Sequence, residues 1–204
     1  MVKESLNSSK FKGELELKIY KDDKLIETHK DHNLIVRDSC CIIANALQYR
    51  VPEEGESRRF AINQICWGNT YEPLALATEK MAGDFYHRPI VGHFVSGSGV
   101  DPETAGNSTA SIDVDPETNT KDVKLIITFN IAKSEVDITQ IRQFGLACSN
   151  YPLTEGLTTS GSVFDGYFFS IINRFPDPSN YIHKDNTVNI EGRWEITFLN
   201  SSSQ

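Results

Sequence analysis

The chain has few of the features that mark disulfide-rich, membrane or nucleic-acid-binding proteins. Its 204 residues include only four cysteines, and their spacing matches neither a disulfide framework nor a C-x-x-C site. No apolar run is long enough for a membrane span, and the polar start lacks the core of a secretory signal. Its 28 acidic residues outnumber 20 basic ones, whereas duplex-binding surfaces usually carry a basic excess. We therefore expect a soluble protein of cytosolic origin with reduced, buried thiols and without nucleic-acid or membrane partners.

Motifs for nucleophilic or phosphoryl chemistry are also missing. The G-x-S-x-G elbow and the P-loop are absent, and Ser96 and Ser98 lie in a Gly-rich loop with no base nearby. Cys66 and Cys148 are set among apolar neighbours, whereas a reactive thiol needs a polar, electropositive setting. The sequence predicts no catalytic residue and no cofactor.

The sequence also lacks a spacing of His, Asp or Glu residues that suits a metal site. His29 and His32 are three residues apart in an extended stretch, so their side chains should diverge. Asp113 and Asp115 lack the glycine and the distal glutamate of an EF-hand loop, and a capped turn explains them better. We predict no metal site.

The clearest positive signal is a regular alternation near the end of the chain. Between Val188 and Phe198, Gly192 and apolar residues such as Trp194 occupy every second position, and polar residues occupy the others. Because successive side chains of a strand point to opposite faces, this predicts a long strand with one dry and one wet face. Glu191, Arg193 and Glu195 lie on the wet face.

Several other segments have the character of strands. The patterns predict strands at residues 13–20, 25–36, 60–67, 89–95, 111–114, 123–131, 140–148 and 163–175. A tight polar turn at residues 21–24 joins the first two into a hairpin, and loops are expected at 151–162 and 176–185. The segment 163–175 is apolar on both parities, which is typical of a central strand covered on two sides.

Two short helices are expected in the first half. The first is capped by Asp38 or Ser39 and ends near residue 50. The second starts at Pro73, ends at Gly83 and has apolar residues at helical spacing. These apolar residues are Leu74, Ala77 and Met81.

Together these elements predict a mainly β chain with an antiparallel arrangement. We expect a β-sandwich or flattened barrel with two short helical insertions, built as one domain over residues 12–200. Residues 1–11 form a flexible or docking arm, and residues 201–204 form a polar tail.

The order of motifs along residues 12–198 resembles a domain of tailed-bacteriophage virion proteins. It is similar to the N-terminal attachment domain of tail-collar fibre proteins and to small tail or baseplate accessory proteins. The motifs are, in order, residues 32–36, Gly68-Asn69, residues 74–79, Arg88-Pro89-Ile90, Phe144-Gly145-Leu146, Asn173-Arg174-Phe175, Lys184 and residues 194–198. Two positions depart from the family: Asn69-Thr70 follows Gly68 where a Gly-Asp-Gly-like turn is common, and Gln143 stands where a glutamate is frequent.

The resemblance implies a non-enzymatic structural component of a virion, assembled in the host cytoplasm. It would act as a tail, collar or baseplate adaptor and contact other virion proteins and copies of itself. Residues 1–10 would serve as a docking arm, and the wet face of the last strand is a candidate surface for a neighbouring subunit.

Two alternatives stay open. One is a capsid decoration protein, and the other is a carbohydrate-binding sandwich that recognises a host surface. A glycan-binding protein should expose Trp67, Tyr71 or Tyr86 along one groove. An assembly protein should expose apolar strand edges.

Overall fold

The computed structural model describes residues 11–32, 34–35, 62–74, 78, 80–90, 112–114, 123–149, 156–160, 162, 164, 166–175, 177 and 179–198. Within these residues the chain forms thirteen strands. They are β1 (Phe11–Lys21), β2 (Lys24–His32), β3 (Leu34–Ile35), β4 (Gln64–Gly68), β5 (Phe85–Pro89), β6 (Ile112–Val114), β7 (Val123–Ile131), β8 (Gln140–Ile141), β9 (Gln143–Ser149), β10 (Gly156–Thr158), β11 (Gly166–Asn173), β12 (Ile182–His183) and β13 (Val188–Phe198).

The strands form two large sheets and one small one. Sheet A has the order β2-β1-β13-β7-β6, sheet B has the order β10-β5-β4-β9-β11-β3, and β12 pairs with β8. All the strand pairs are antiparallel. The expectation of a mainly β, antiparallel chain is confirmed. No helix in the described part of the chain is long and apolar enough to cross a bilayer.

The centre of sheet A follows the alternation seen in the sequence. Strand β13 spans the predicted residues and pairs with β1 along its whole length, from Phe11 opposite Phe198 to Lys21 opposite Val188. Trp194 is fully buried, whereas its neighbour Arg193 is exposed. Strands β1 and β13 therefore pair continuously over eleven residues near the centre of the sheet.

The first hairpin is confirmed, but its second strand is shorter than predicted. Asp22 and Asp23 adopt positive φ angles of 48° and 63°, as the two central positions of a type I′ turn require. Strand β2 stops at His32, where a continuous strand to residue 36 was expected. The chain then crosses to sheet B, where Leu34 and Ile35 pair with Ile171 and Ser170.

Two hydrophobic cores hold the sheets. The main core lies between them and draws apolar side chains from both, such as Phe129 of sheet A and Phe144 of sheet B at a centroid distance of 6.1 Å. A second core covers the opposite face of sheet B. It contains Cys66, Met81, Phe85, Ala147, Phe168 and Ile171, with Leu74 and Phe164 packed against it. Sheet B is therefore dry on both faces.

The second core corrects the expectation of a helix from Pro73 to Gly83. The described residues between Pro73 and Gly83 are not helical. Leu74 and Met81 nevertheless pack together in the second core, because contact with sheet B, rather than helical periodicity, determines their positions. The helix expected after Asp38 or Ser39 falls outside the described residues, as do the arm at 1–10 and the tail at 201–204.

Several strand boundaries also differ from prediction. The strand expected at 60–67 is β4 at Gln64–Gly68. Strand β5 at Phe85–Pro89 ends where the strand expected at 89–95 would begin, and residues 91–95 fall outside the described residues. The strand expected at 140–148 is interrupted at Arg142, whose N–H donates to the carbonyl of Gly68 at 2.8 Å. Strands β10 and β12 lie inside segments that were expected to be loops.

Candidate functional site

The outer face of sheet A is the main regular surface that the described residues leave open. A groove of about 560 Å³ lies over it. The groove is lined by Glu14, Glu16, Lys18, Lys30, Thr128, Phe129, Asn130, Glu191, Gly192, Arg193 and Glu195. This surface includes the wet face of β13 that the sequence predicts.

The charges on this face are paired across neighbouring strands. Lys30 Nζ lies 2.8 Å from Glu14 Oε1 and 3.5 Å from Glu16 Oε2. These carboxylates raise the pKa of Lys30, with the hydrogen bond to Glu14 as the largest cause. Tyr20 Oη donates to Glu191 Oε2 at 3.0 Å, which raises the pKa of Tyr20. With four carboxylates against three cations, the groove is nearly neutral.

A polar cluster lies under β2, where the rest of the sheet is apolar. The inner face of β2 consists of Glu27, His29 and Asp31, which stand opposite Ile19, Leu17 and Leu15 of β1. Arg174 at the end of β11 reaches these side chains from sheet B. We call Glu27, His29, Asp31, Arg174 and Phe175 the Arg174 cluster.

Arg174 is the centre of this cluster. Its side chain is 94% buried, and its guanidinium lies 4.2 Å from the centroid of the Phe175 ring. Nη1 is 3.3 Å from Asp31 Oδ2, and Nη2 is 3.9 Å from Glu27 Oε1. Burial lowers the pKa of Arg174, and the two carboxylates oppose that shift. The cluster therefore ties the end strand of sheet A to sheet B.

His29 completes the cluster. Its Nε2 pairs with Glu27 Oε1, and its ring meets Phe175 edge-on at 6.2 Å. Burial lowers the pKa of His29, Arg174 lowers it further, and Glu27 and Asp31 oppose the shift. Neutral His29 is thus favoured beside the buried guanidinium.

The two histidines considered as metal ligands lie on opposite faces of β2. His29 is paired with Leu17 on the inner face, and His32 is paired with Glu14 on the outer face. In the described part of the chain, no three His, Cys, Asp or Glu side chains are grouped to hold a metal ion. Asp113 is in β6; its side chain, Asp115, Ser96 and Ser98 fall outside what is described.

The aromatic residues considered for glycan binding do not form an exposed platform. Trp67 and Tyr86 are 2% and 9% exposed and stack on each other at a centroid distance of 4.9 Å. The Arg88 guanidinium carbon lies 5.8 Å and 5.7 Å from their ring centroids, and Arg88 forms a buried ion pair with Glu135. Tyr71 is half-buried. Trp67 and Tyr86 belong to the main core.

Lys184 is a third buried cation, after Arg174 and Arg88, and no carboxylate of the described residues accepts a hydrogen bond from it. Its side chain is fully buried, and its Nζ donates to the backbone carbonyls of Lys133 at 3.2 Å and Asp185 at 3.0 Å. Burial lowers the pKa of Lys184 to about 8, and the Asp185 charge opposes the shift. Cys66 and Cys148 are buried, reduced thiols, as expected, and burial raises the pKa of Cys66.

The free edge of β2 is the second exposed feature. Strand β1 pairs with one side of β2, and no described residue pairs with the other side. Leu25 and Ile26 are 54% and 57% exposed near the turn. The Arg174 cluster and this edge were not identified from the sequence, although the polar residues at 27, 29 and 31 alternate in register with the apolar ones of β1.

Comparison of the chain with protein-family models, curated proteins and solved structures found no significant match.

Proposed function

We propose that this chain is a non-enzymatic structural component of a tailed-bacteriophage particle. It would act as a tail, collar or baseplate adaptor through contacts with neighbouring proteins and with copies of itself. The proposal is supported by the order of sequence motifs and by the sandwich-like packing of two antiparallel sheets. The observation that carries it is the pair of exposed apolar side chains, Leu25 and Ile26, in a strand with one edge that no described residue pairs with, because an open strand edge suits assembly by strand addition.

The residues that carry the resemblance have packing roles. A Cβ on Gly145 would lie 2.8 Å from Phe168 Cε1, and one on Gly68 would lie 2.9 Å from the Met81 methyl carbon. Trp194 is fully buried in the main core. Motifs of this kind preserve a fold and leave its faces free to vary, which suits a protein that acts through its surface.

The departure at Gln143 is also explained by packing. Gln143 is 1% exposed, and its Nε2 donates to Asn173 Oδ1 at 2.7 Å. Asn173 Nδ2 donates in turn to the carbonyl of Glu72 at 2.8 Å. A glutamate at 143 would have no N–H for the first bond. The amide is therefore suited to the asparagine that this chain carries opposite it.

The experiment is to locate the chain in purified particles. Particles are isolated from host cells that carry the gene, with and without a C-terminal epitope tag on this chain. We expect its peptides at a fixed ratio to the major capsid protein, and antibody label at the tail end in electron micrographs. Particles without the chain would contradict the proposal, and label spread over the capsid would replace the adaptor by a decoration protein.

The docking arm has its own test. Residues 1–10 fall outside the described residues, and we propose that they bind a neighbouring virion protein. A chain without residues 1–10 should fold with an unchanged melting temperature and enter particles poorly. Incorporation at the full-length level would rule out a docking role.

A further inference from the structure

We propose that the Arg174 cluster is a pH-sensitive switch, which holds the end strand β2 against sheet B while His29 is neutral and releases β2 when His29 gains a proton. The inference goes beyond the proposed function and does not depend on it. Among the described strands, β2 pairs only with β1, and His29 is the one residue of β2 that is not exposed. Within the described residues, it is the Arg174 cluster that joins β2 to sheet B.

The sheet B side of the cluster is held in place. Arg174 follows directly after β11, and its backbone N–H donates to the carbonyl of Arg142 at 2.7 Å. Its side chain is buried, and its guanidinium lies against the ring of the adjacent Phe175. The β2 side is held less firmly, since the side chains of Glu27 and Asp31 are 45% and 48% exposed. Loosening of the cluster should therefore move β2 and leave sheet B in place.

The charge of the Arg174 guanidinium is only partly compensated. Nη1 lies 3.3 Å from Asp31 Oδ2, but Nε and Nη2 are buried and have no hydrogen-bond acceptor among the described residues. Glu27 Oε1 pairs with His29 Nε2 and lies 3.9 Å from Arg174 Nη2. A second cation placed beside this guanidinium would therefore be unfavourable.

Three charged groups of the described residues face His29. Burial and Arg174 of sheet B favour the neutral imidazole, whereas Glu27 and Asp31 on its own strand favour the protonated form. On β1 the residue opposite His29 is the uncharged Leu17. The two carboxylates are half exposed and thus screened by solvent, while the imidazole and the guanidinium are both largely buried. The net effect is a lowered pKa of His29.

Release of β2 at low pH follows by linkage. Once β2 has left sheet B, the His29 imidazole is solvated and regains its ordinary pKa of 6.5, so it binds a proton more strongly than inside the cluster. The ratio of released to held β2 should therefore rise as the pH falls through about 6.5. When both forms are fully protonated, each unit by which the cluster lowers the pKa corresponds to a tenfold rise in this ratio.

The first test is an NMR titration of the full-length chain from roughly pH 8 to pH 5, which follows the ring protons of its five histidines. The His29 signal is assigned by its absence in His29→Gln. We expect a His29 pKa below 6.5 and a loss of the nuclear Overhauser contact with Phe175 over the same range. A pKa of 6.5 or above would overturn the proposal, and so would protonation that leaves the contact with Phe175 intact.

A matched pair of substitutions checks the charges around His29. Glu27→Gln keeps the shape of the side chain and removes a charge that favours protonation, so the pKa of His29 should fall further. Glu14→Gln is the control, because Glu14 lies on the outer face of β1 and pairs with Lys30. The same His29 pKa in both variants would contradict the balance of charges on which the switch depends.

The second test is native-state hydrogen exchange, measured by mass spectrometry and corrected for the intrinsic exchange rate at each pH. Between pH 7.5 and 5.5, peptides of residues 24–32 should lose protection by the factor that the measured pKa of His29 requires. Low concentrations of urea should not change this exchange, because release of one end strand exposes little surface. Peptides of β13 should stay more protected than those of β2 at both pH values.

Two histidine variants complete the exchange experiment. His29→Gln should abolish the pH response of residues 24–32, whereas His32→Gln, at an exposed position of the same strand, should retain it. If His29→Gln lowers the protection of β2 at both pH values, the titration of the wild-type chain decides. Wild-type protection of β2 that does not depend on pH would overturn the proposal, and so would an acid response that persists in His29→Gln.

Discussion

Sheet A and sheet B are both antiparallel, but they differ in how many of their faces are dry. In β13 of sheet A, buried Trp194 alternates with exposed Arg193. In β11 of sheet B, Phe168 and Phe169 point to opposite faces and are 1% and 2% exposed. Sheet B is enclosed between two cores, so sheet A supplies the open face and the open edge on which the proposed contacts depend.

The largest expected effect tests the two faces of β13. Trp194→Ala removes a fully buried indole and should lower the free energy of unfolding by about 3–5 kcal/mol. Arg193→Ala, on the adjacent wet position, should change it by less than about 0.5 kcal/mol. Urea denaturation of both variants checks this. A loss below about 1 kcal/mol for Trp194→Ala would show that the predicted dry face is not a core.

The next effect tests how tightly sheet A is packed at its centre. The Phe129 ring covers Gly192 so closely that an added Cβ would lie 2.0 Å from Phe129 Cζ. Gly192→Ala should therefore cost about 1–3 kcal/mol through displacement of the ring. Gly156→Ala is the matched control, since its Cβ would lie at an ordinary 3.6 Å from His87 Nε2. Equal stability of the two variants would contradict the close approach.

The third effect concerns Lys184, buried beside the start of β13. Its folded-state pKa of about 8 lies below the ordinary value of 10.5. The folded state thus binds the proton less strongly than the unfolded state, and the free energy of unfolding should rise between about pH 8 and 10.5. Lys184→Met should reduce this rise, measured by urea denaturation across that range.

Lys133→Met is the control for Lys184. Lys133 is more exposed and its Nζ lies 2.7 Å from Asp23 Oδ1. This variant should keep the pH dependence of the wild type. The same pH profile in the Lys184 variant would show that the buried ammonium does not govern it.

The smallest expected effect is on the pH dependence of stability, and it comes from His29 on the inner face of β2. Burial and Arg174 lower the pKa of His29. Protonation therefore favours the unfolded state, and stability should fall as the pH drops through about 6.5, the ordinary value. In dilute solution, His29→Gln should melt with a weaker pH dependence than wild type between pH 7.5 and 5.5. His183→Gln, at a side chain 66% exposed, should not change the slope.

The sequence predicts the long strands of sheet A better than the short strands elsewhere. The segment 123–131 and β13 were predicted with their observed bounds, because nine or more alternating residues define a period. Strands β10 and β12 have three and two residues, too few for any period. Such short strands form because they pair with strands that are distant in the sequence, and a local pattern does not reveal that pairing.

The candidate surfaces were predictable only in part. The wet face of β13 follows from alternation alone. The Arg174 cluster does not, because Arg174 and Asp31 are 143 residues apart in sequence. The segment with Leu74 and Met81 was correctly assigned an apolar side and wrongly assigned a helix. This segment packs on the outer face of sheet B, and that face is built from strands far apart in the sequence. Local periodicity therefore could not show what the segment contacts.

The most direct test of the difference between the sheets is a pair of variants on β11. Phe169→Ala opens the main core and Phe168→Ala opens the second core on the opposite face of the same strand. We expect each to lower the free energy of unfolding by about 3–5 kcal/mol in urea denaturation. A loss below about 1 kcal/mol for Phe168→Ala, with a full loss for Phe169→Ala, would mean that sheet B is wet on its outer face like sheet A.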